Sequence, residues 1–308
     1  MRLHGEGGLR LDASVVAIGA FDGVHRGHQS VIRQAVATAR ALGVPAVVYT
    51  FDPPPKAVFA GARVLTPIEE KLRRMAGLGV HHAVVAGFDR AYASRPAASF
   101  LDELSALHPA EVRVGADFRF GAGRKGDFAM LQAAGEKYGF GVEAMPTHAD
   151  AGERVSSSAV RAALAAGQLD RAASLLGRPY SIAGRVVHGD KIGRTLGFPT
   201  ANIQLKHRRP PLAGIYTVNV EGLGDAPVHG VASVGVRPTI TAHGRPTLEV
   251  HLFDWHADCY GAHLRVHFLA KQRDEEKYDS LDALTAQIAR DADIARAWFA
   301  DRAPETLR

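Results

Sequence analysis

Apolar residues along this chain change their period once. Up to about residue 177 they fall in short unbroken runs, each followed by a stretch where they recur every three or four positions; beyond 180 they alternate with polar ones. The run Ser14-Val-Val-Ala-Ile-Gly19 suits a strand buried on both faces, and Gln29 to Leu42 carries Val31, Ile32, Ala35, Val36 and Ala39 at helical spacing. Val44 to Phe51 and His82 to Phe88 read as further buried strands, with a helix from Ile68 to Leu78 closed by Gly79 between them. Ser94 is expected to cap a helix through Ala97 to Leu107. Glu111 to Gly115, Asp127 to Tyr138 and Phe140 to Met145 then continue as strand, helix and strand, and Asp170 to Leu176 is a short helix broken by Gly177-Arg-Pro-Tyr180. Such alternation predicts a parallel sheet with helices on both faces and binding positions at the carboxyl ends of its strands.

The period-two segments are Ser181 to Val187, Gly214 to Val220, Val228 to Val236, Thr247 to Phe253 and His263 to Leu269, separated by Gly, Pro and Asp. Several short strands without intervening helices predict a closed antiparallel barrel. A last helix runs from Ser280 to Phe299, begun at Asp279 or Ser280, with Leu284, Ile288, Ala292, Ala295 and Phe299 on one face. The expected fold is therefore α/β followed by all-β: a Rossmann-like domain over residues 1–177, then an antiparallel β-barrel with a C-terminal helix over 178–308. No internal repeat or low-complexity segment interrupts it.

Composition narrows the classes. A chain of 308 residues exceeds the usual single domain, and 46% apolar with 22% charged residues is ordinary for a globular protein. Its apolar runs are far below the roughly 18 residues that span a bilayer, and Met1-Arg-Leu-His-Gly-Glu6 lacks an apolar leader core, so no membrane partner and a cytoplasmic location are expected. Cys259 is the only cysteine, which rules out an internal disulfide. The formal charge of +5 suits anionic partners such as nucleotides, while no dense basic run points to nucleic acid.

Chemistry concentrates first in Ile18-Gly-Ala-Phe-Asp-Gly-Val-His-Arg-Gly-His28, a glycine-rich turn between a strand and a helix. Gly19, Gly23 and Gly27 allow close approach of backbone to ligand, and a helix N-terminus just beyond offers N–H groups to phosphate. His25 and His28 at that mouth are placed to donate to phosphate oxygens; by spacing alone they are equally surface residues or half of a metal site, although no cysteine or carboxylate constellation supports zinc. Three later stretches belong to the same sheet edge: the proline-stiffened loop Phe51-Asp-Pro-Pro-Pro-Lys56, the run Val114-Gly-Ala-Asp-Phe-Arg-Phe-Gly121, and Val155-Ser-Ser-Ser-Ala-Val-Arg161. The serines of the last are either plain helix caps or, with Arg161, donors to polyphosphate.

In the second half, Gly189-Asp-Lys-Ile-Gly-Arg-Thr-Leu-Gly-Phe-Pro-Thr-Ala-Asn202 lacks the Gly-Lys-Ser/Thr ending of a Walker A loop. It reads either as a hairpin or as a phosphate-covering flap carrying Lys191 and Arg194. Thr200 and Asn202 present a hydroxyl and an amide oxygen on one strand face, a plausible pair of hard ligands for Mg²⁺. In Thr247-Leu-Glu-Val-His-Leu-Phe253, Glu249 shares the polar face with Thr247 and His251 and is either solvated or catalytic.

These motifs carry a resemblance. The turn is similar to the His-x-Gly-His signature of the nucleotidyltransferase superfamily, in the form carried by prokaryotic bifunctional riboflavin kinase/FAD synthetases. Val155 to Arg161 resembles that family's Ile-Ser-Ser-Thr-x-x-Arg, and Gly189 to Asn202 resembles the riboflavin kinase signature. Glu249 sits where the family has its catalytic glutamate, followed here by Asp254 and Tyr260-Gly261. Arg273-Asp-Glu-Glu-Lys-Tyr278 and Leu284-Thr-Ala-Gln-Ile-Ala-Arg-Asp291 match the ending that borders the flavin.

The resemblance covers about residues 14 to 300. It implies that Gly23, His25, His28, Asp117, Ser157, Ser158 and Arg161 meet ATP, with Asp117 also near flavin, so that the phosphate of FMN attacks the α-phosphorus of ATP to give FAD and pyrophosphate. It further implies that Gly193 and Arg194 cover ATP, that Thr200 and Asn202 hold Mg²⁺, that Glu249 takes the proton of the riboflavin 5′-hydroxyl, and that Arg273 and Glu276 lie at the flavin. Three positions depart from the family: Ser158 replaces Thr, Ser233 replaces Asn, and Pro54 replaces His, so that either the histidine is dispensable or another group such as Lys56 meets the phosphate there. A kinase with a silent first half, an adenylyltransferase with another acceptor, and a non-catalytic flavin- or RNA-binding protein are the alternatives.

Overall fold

Ser14–Ile18, buried at every position, is an inner strand of a six-stranded parallel sheet. The computed structural model describes residues 1–145, 149–150, 152–189, 192–205, 209–237 and 245–302. Its contacts group into two compact units, Met1–Ala159 and Val160–Arg308.

The first unit contains, in order, β1 (Arg2–Gly5), β2 (Ser14–Ile18), α1 (Arg26–Leu42), β3 (Ala46–Asp52), α2 (Pro55–Ala60), α3 (Ile68–Gly77), β4 (His82–Gly87), α4 (Arg90–Ala93), α5 (Ala97–Ser105), β5 (Pro109–Gly115), α6 (Phe128–Tyr138), β6 (Gly141–Met145), the short antiparallel pair β7 (Ala149–Asp150) and β8 (Glu153–Arg154), and the start of α7 (Ser157–Ala165). The sheet order is β1-β4-β3-β2-β5-β6. Ile18 pairs with Tyr49 of β3 on one side and Val114 of β5 on the other. From β2 the chain steps outward to β3 and β4 on one side and to β5 and β6 on the other, with β1 added at the edge beside β4, so the crevice where open α/β sheets bind ligands falls at the carboxyl end of β2. Alternate residues of β2 feed two cores: Val16 and Ile18 join Tyr49, Phe100, Leu104 and Leu131, while Val15 and Ala17 join Ile32, Ala35, Val48 and Met75.

Several boundaries differ from the sequence reading. Ser94 ends α4 instead of opening the next helix, and Pro96 is the N-cap of α5. The ring of Pro96 disfavours helical backbone at Arg95, so the two helical segments separate there. The turn expected as a loop at residues 51–56 runs into α2, because Pro55 at its first positions needs no N–H partner. β1 was not expected; it is mostly exposed and pairs only with β4, so its sequence shows no apolar alternation.

The second unit takes in the rest of α7, α8 (Leu169–Leu176), β9 (Ser181–Val187), α9 (Ile192–Thr195), β10 (Thr200–Ile203), β11 (Gly214–Glu221), β12 (Val228–Arg237), β13 (Arg245–Leu252), β14 (His263–Arg273) and α10 (Leu281–Ala300). The six strands close into a barrel in the order β10-β13-β12-β11-β14-β9, with β9 pairing back to β10. Ala201, Ile203, Leu248, Val250, Val218, Val234, Leu264 and Val266 are buried within the unit. α10 starts at its N-cap Ser280, whose hydroxyl accepts from Ala283 N, and lays Ala292 and Ala295 against Ile215, Val231 and Phe253. Strand β14 runs four residues past the expected Leu269, because β11 still offers pairing groups as far as Arg273.

Candidate active sites

The turn after β2 is held in a conformation few residues adopt. Gly23 has φ 88, where glycine is at ease, but Phe21 at φ 49 and the β-branched Val24 at φ 43 are strained. Both strained side chains are buried, and Val24 is tied down by N–H donation to Phe21 O at 3.1 Å and by Gln29 Nε2 donating to its carbonyl at 2.9 Å. Asp22, 2% exposed, accepts from Leu65 N and Thr66 N at 3.0 and 3.1 Å. Ser157 Oγ donates to Asp22 O at 2.8 Å, which brings the start of α7 onto the turn.

His25 is the N-cap of α1: its Nδ1 accepts from His28 N at 3.3 Å, so the proton of the neutral ring sits on Nε2. The helix therefore begins at the histidine motif and not beyond it. The rings of His25 and His28 stack with centroids 3.5 Å apart, and Phe21 meets His28 edge-on at 5.3 Å. Burial, followed by the neighbouring His25 and Lys71, holds His28 well below the ordinary imidazole range. It is neutral at pH 7, and because Nδ1 is shut away without a hydrogen-bond partner among the described residues, Nε2 is the nitrogen left to meet a ligand.

Lys56 Nζ donates to Ser158 Oγ at 3.2 Å, so the proline turn and the α7 serines come together, while Pro54 caps α2 with no side-chain hydrogen bond. Arg161 lies on α7, one turn after Ser157 and Ser158. Asp117 stands on the loop after β5, its side chain 73% exposed, paired with Arg154 at 2.7 Å. Sequence reasoning missed Arg154, whose partner lies 37 positions away. It also missed Lys71, which in Glu69-Glu70-Lys71 looks like part of a solvated helix face but is 1% exposed.

In the barrel, Asn202 pairs directly opposite Glu249 across β10 and β13, with Thr200 opposite His251. Thr200 Oγ1 donates to Glu249 Oε2 at 3.4 Å. His251 Nδ1 lies 2.9 Å from Pro199 O, and Gly189 lies so close to the Asn202 amide that a Cβ there would strike it. Gly193 and Arg194 are in the single turn α9, closed by Phe198 N donating to Gly193 O at 2.8 Å, so this loop is not a simple hairpin. Lys191 lies outside the described residues.

The Thr200 hydroxyl and the Asn202 amide on one strand face are hard oxygen donors that fit Mg²⁺, which commonly takes one or two protein ligands and completes its shell with phosphate and water. Among the described residues no cluster of three His, Cys, Asp or Glu could hold a metal ion by itself.

Arg273 donates through Nε and its terminal nitrogen to Asp291 at 2.9 and 2.6 Å, a bidentate pair joining β14 to α10, and this contact raises its already high pKa. Glu276 is exposed and accepts from Tyr278 OH at 3.3 Å. The neighbouring Glu275, which sequence reasoning passed over, reaches back over Gly235 to accept from Ser233 Oγ at 3.1 Å. Ser233 pairs opposite Glu249. Burial and then the charge of Glu249 push Glu275 upward, while Ser233 and Arg273 hold it down.

A glycine turn with two stacked histidines at a helix start in one unit, and a hydroxyl, an amide and a carboxylate on one strand face in the other, are groups of the kind that transferases employ. The FAD synthetase family model matches residues 10–159 and the riboflavin kinase family model residues 176–299. The chain belongs to the family of bifunctional riboflavin kinase/FMN adenylyltransferases: it is 47% identical over 293 residues to the member from Escherichia coli (strain K12), covering 94% of this chain and 93% of the relative. The member from Pseudomonas fluorescens is 46% identical over 295 residues, covering 94% of each. A crystal structure described as a macrolide-efflux protein from Streptococcus pneumoniae shares the fold, with a TM-score of 0.81 and 31% identity over 97% of this chain and 100% of that one. Among the described residues no helix is long and apolar enough to cross a membrane.

Proposed function

We propose that the chain phosphorylates riboflavin to FMN at the barrel face and adenylylates FMN to FAD at the turn after β2, using ATP for both steps in the cytoplasm, where ATP is made. The observation that carries the kinase assignment is the cross-strand group of Thr200, Asn202 and Glu249. Glu249 accepts the proton of the ribityl 5′-hydroxyl as that oxygen attacks the γ-phosphorus and ADP leaves. Thr200 and Asn202 would hold Mg²⁺, which when bound neutralises charge on the transferred phosphate. Gly193 and Arg194 cover the nucleotide, and the flavin lies against residues 273–278, with Arg273 fixed by Asp291 and Glu276 at the rim.

For adenylylation no protein nucleophile is required: an oxygen of the FMN phosphate attacks the α-phosphorus and pyrophosphate departs. The chain's contribution is orientation and charge. Gly23 admits the phosphates, His25 and His28 meet them through Nε2, and Lys56, Ser157, Ser158 and Arg161 grip the polyphosphate, with Asp117 toward nucleotide and flavin. The functional boundary is placed at 177/178, where Gly177 ends α8 before β9 begins. No nucleic acid or membrane partner enters this reading.

Incubation with riboflavin, ATP and Mg²⁺, with flavins separated over time, tests it: FMN should appear first and FAD after it. FMN that accumulates without FAD would favour a kinase with a silent first half, a reading that Pro54 supports and the Lys56–Ser158 contact opposes.

A further inference from the structure

Lys71 is a lysine that a globular protein has reason to avoid. It is 1% exposed, and each proton of its ammonium group has an acceptor: Ala20 O at 3.2 Å, Thr50 Oγ1 at 3.1 Å and Phe51 O at 2.8 Å. A buried charge costs several kcal/mol unless partners replace its water, and a leucine here would avoid that cost if filling space were the only need. The identity of the acceptors is informative. Ala20 begins the turn that leads to His25 and His28, while Thr50 and Phe51 end β3 just before the turn that leads to Lys56. Thr50 Oγ1 also donates to Ala20 O at 3.2 Å, closing the group.

We propose that Lys71 is a positioning residue for adenylyl transfer, holding the turn after β2 and the turn after β3 in one fixed relation and placing a positive charge beneath the polyphosphate. The proposal rests on the adenylylation reading above. Lys71 acts through other groups and touches no reacting atom.

The charges around it are few. Asp22 faces it from the turn and Asp52 from the end of β3, both favouring the ammonium form, whereas burial opposes it more strongly and brings its pKa down to about 8. From α1, His28 feels its charge, which helps to keep that imidazole neutral and able to accept or donate at Nε2. On α3 itself, Glu70 is engaged with Arg73 and Arg74. Above pH 8 the ammonium loses its proton, one of its three hydrogen bonds and its charge.

The test uses the full chain and measures two rates in each sample: FAD formation from supplied FMN, ATP and Mg²⁺, and FMN formation from riboflavin, which reports on the other unit and on protein quantity. Lys71→Met should lower kcat for FAD formation about 10²-fold, the scale on which misplaced catalytic groups cost rate, with riboflavin phosphorylation within twofold of the parent. Lys71→Arg, which keeps a charge at every accessible pH, should recover part of that loss. In the parent, kcat for FAD formation should fall as pH rises through about 8, and Lys71→Arg should lack that limb.

Equal FAD kcat in the parent and Lys71→Met would overturn the proposal. If Lys71→Met does not fold, the parent's profile decides: a flat kcat from pH 7 to about 9.5 overturns it. A parent that makes no FAD at all overturns the adenylylation reading and the proposal with it.

Discussion

Lys56 and Ser158, 102 positions apart in the chain, meet at 3.2 Å from Nζ to Oγ. The contact joins the turn after β3 to the first turn of α7 and places a cation two residues beyond Pro54. Lys56→Ala should therefore lower FAD synthesis by about 10- to 100-fold, the worth of one hydrogen bond to a charged group, and leave riboflavin phosphorylation unchanged. Steady-state assays of both reactions check this, and unchanged FAD synthesis would remove Lys56 from the site.

Glu249 lies between Asn202 and Ser233 on neighbouring strands and has Thr200 hydrogen-bonded to it. Gln keeps its shape but cannot take the proton, so Glu249→Gln should reduce kcat for riboflavin phosphorylation by about 10² to 10⁴. The KM for Mg²⁺–ATP should move far less, since Thr200 and Asn202 remain. A kcat within about threefold of the parent would make Glu249 a solvated strand residue.

His28 gives the first unit a dependence on acidity. Its pKa is depressed in the folded state, so below about pH 6.5 the unfolded chain binds a proton that the folded chain does not. Its contribution to stability is present above that pH and is lost as pH falls. Thermal unfolding followed from pH 7 to about 5 should show a smaller loss of Tm in His28→Gln than in the parent. Parallel losses in the two proteins would contradict the assignment.

Where the kinase begins can be read by truncation. Residues 178–308 should phosphorylate riboflavin and make no FAD, yet α8 packs against β14 in the same compact unit, burying Leu175 and Leu176. A fragment beginning at 160 should therefore show a higher Tm than one beginning at 178, with equal turnover. Comparing the two by calorimetry and by kinase assay tests both the boundary and the role of α8.

Much of this arrangement was legible in the residues. The single change of period separated sheet from barrel, because strands covered on both faces have no polar alternation whereas one-faced barrel strands must have it. The turn with Gly23, His25 and His28 was legible because its glycines and histidines are close in sequence. What was hidden depended on distance or on context. Lys71 carries the same residue type as a surface lysine, and only the fold shows that its neighbours are main-chain carbonyls. Glu275 was passed over in favour of Glu276, since three adjacent acidic residues offer no periodicity from which to tell which one turns toward Ser233. Ser94 was assigned to the wrong helix because a serine can stand at either end, and Pro96 two residues later was the deciding signal.

The two units also differ in how they should fail under stress. The barrel is closed, with β9 hydrogen-bonded to β10, so it offers no open strand along which another polypeptide could add. The sheet of the first unit is open, and its outer strand β1 is four residues long with Leu3 60% exposed. Heated or concentrated protein should thus begin to aggregate through the sheet that carries the FAD-forming turn. Because both units belong to one chain, riboflavin phosphorylation would leave solution with the precipitate although the barrel itself stays closed.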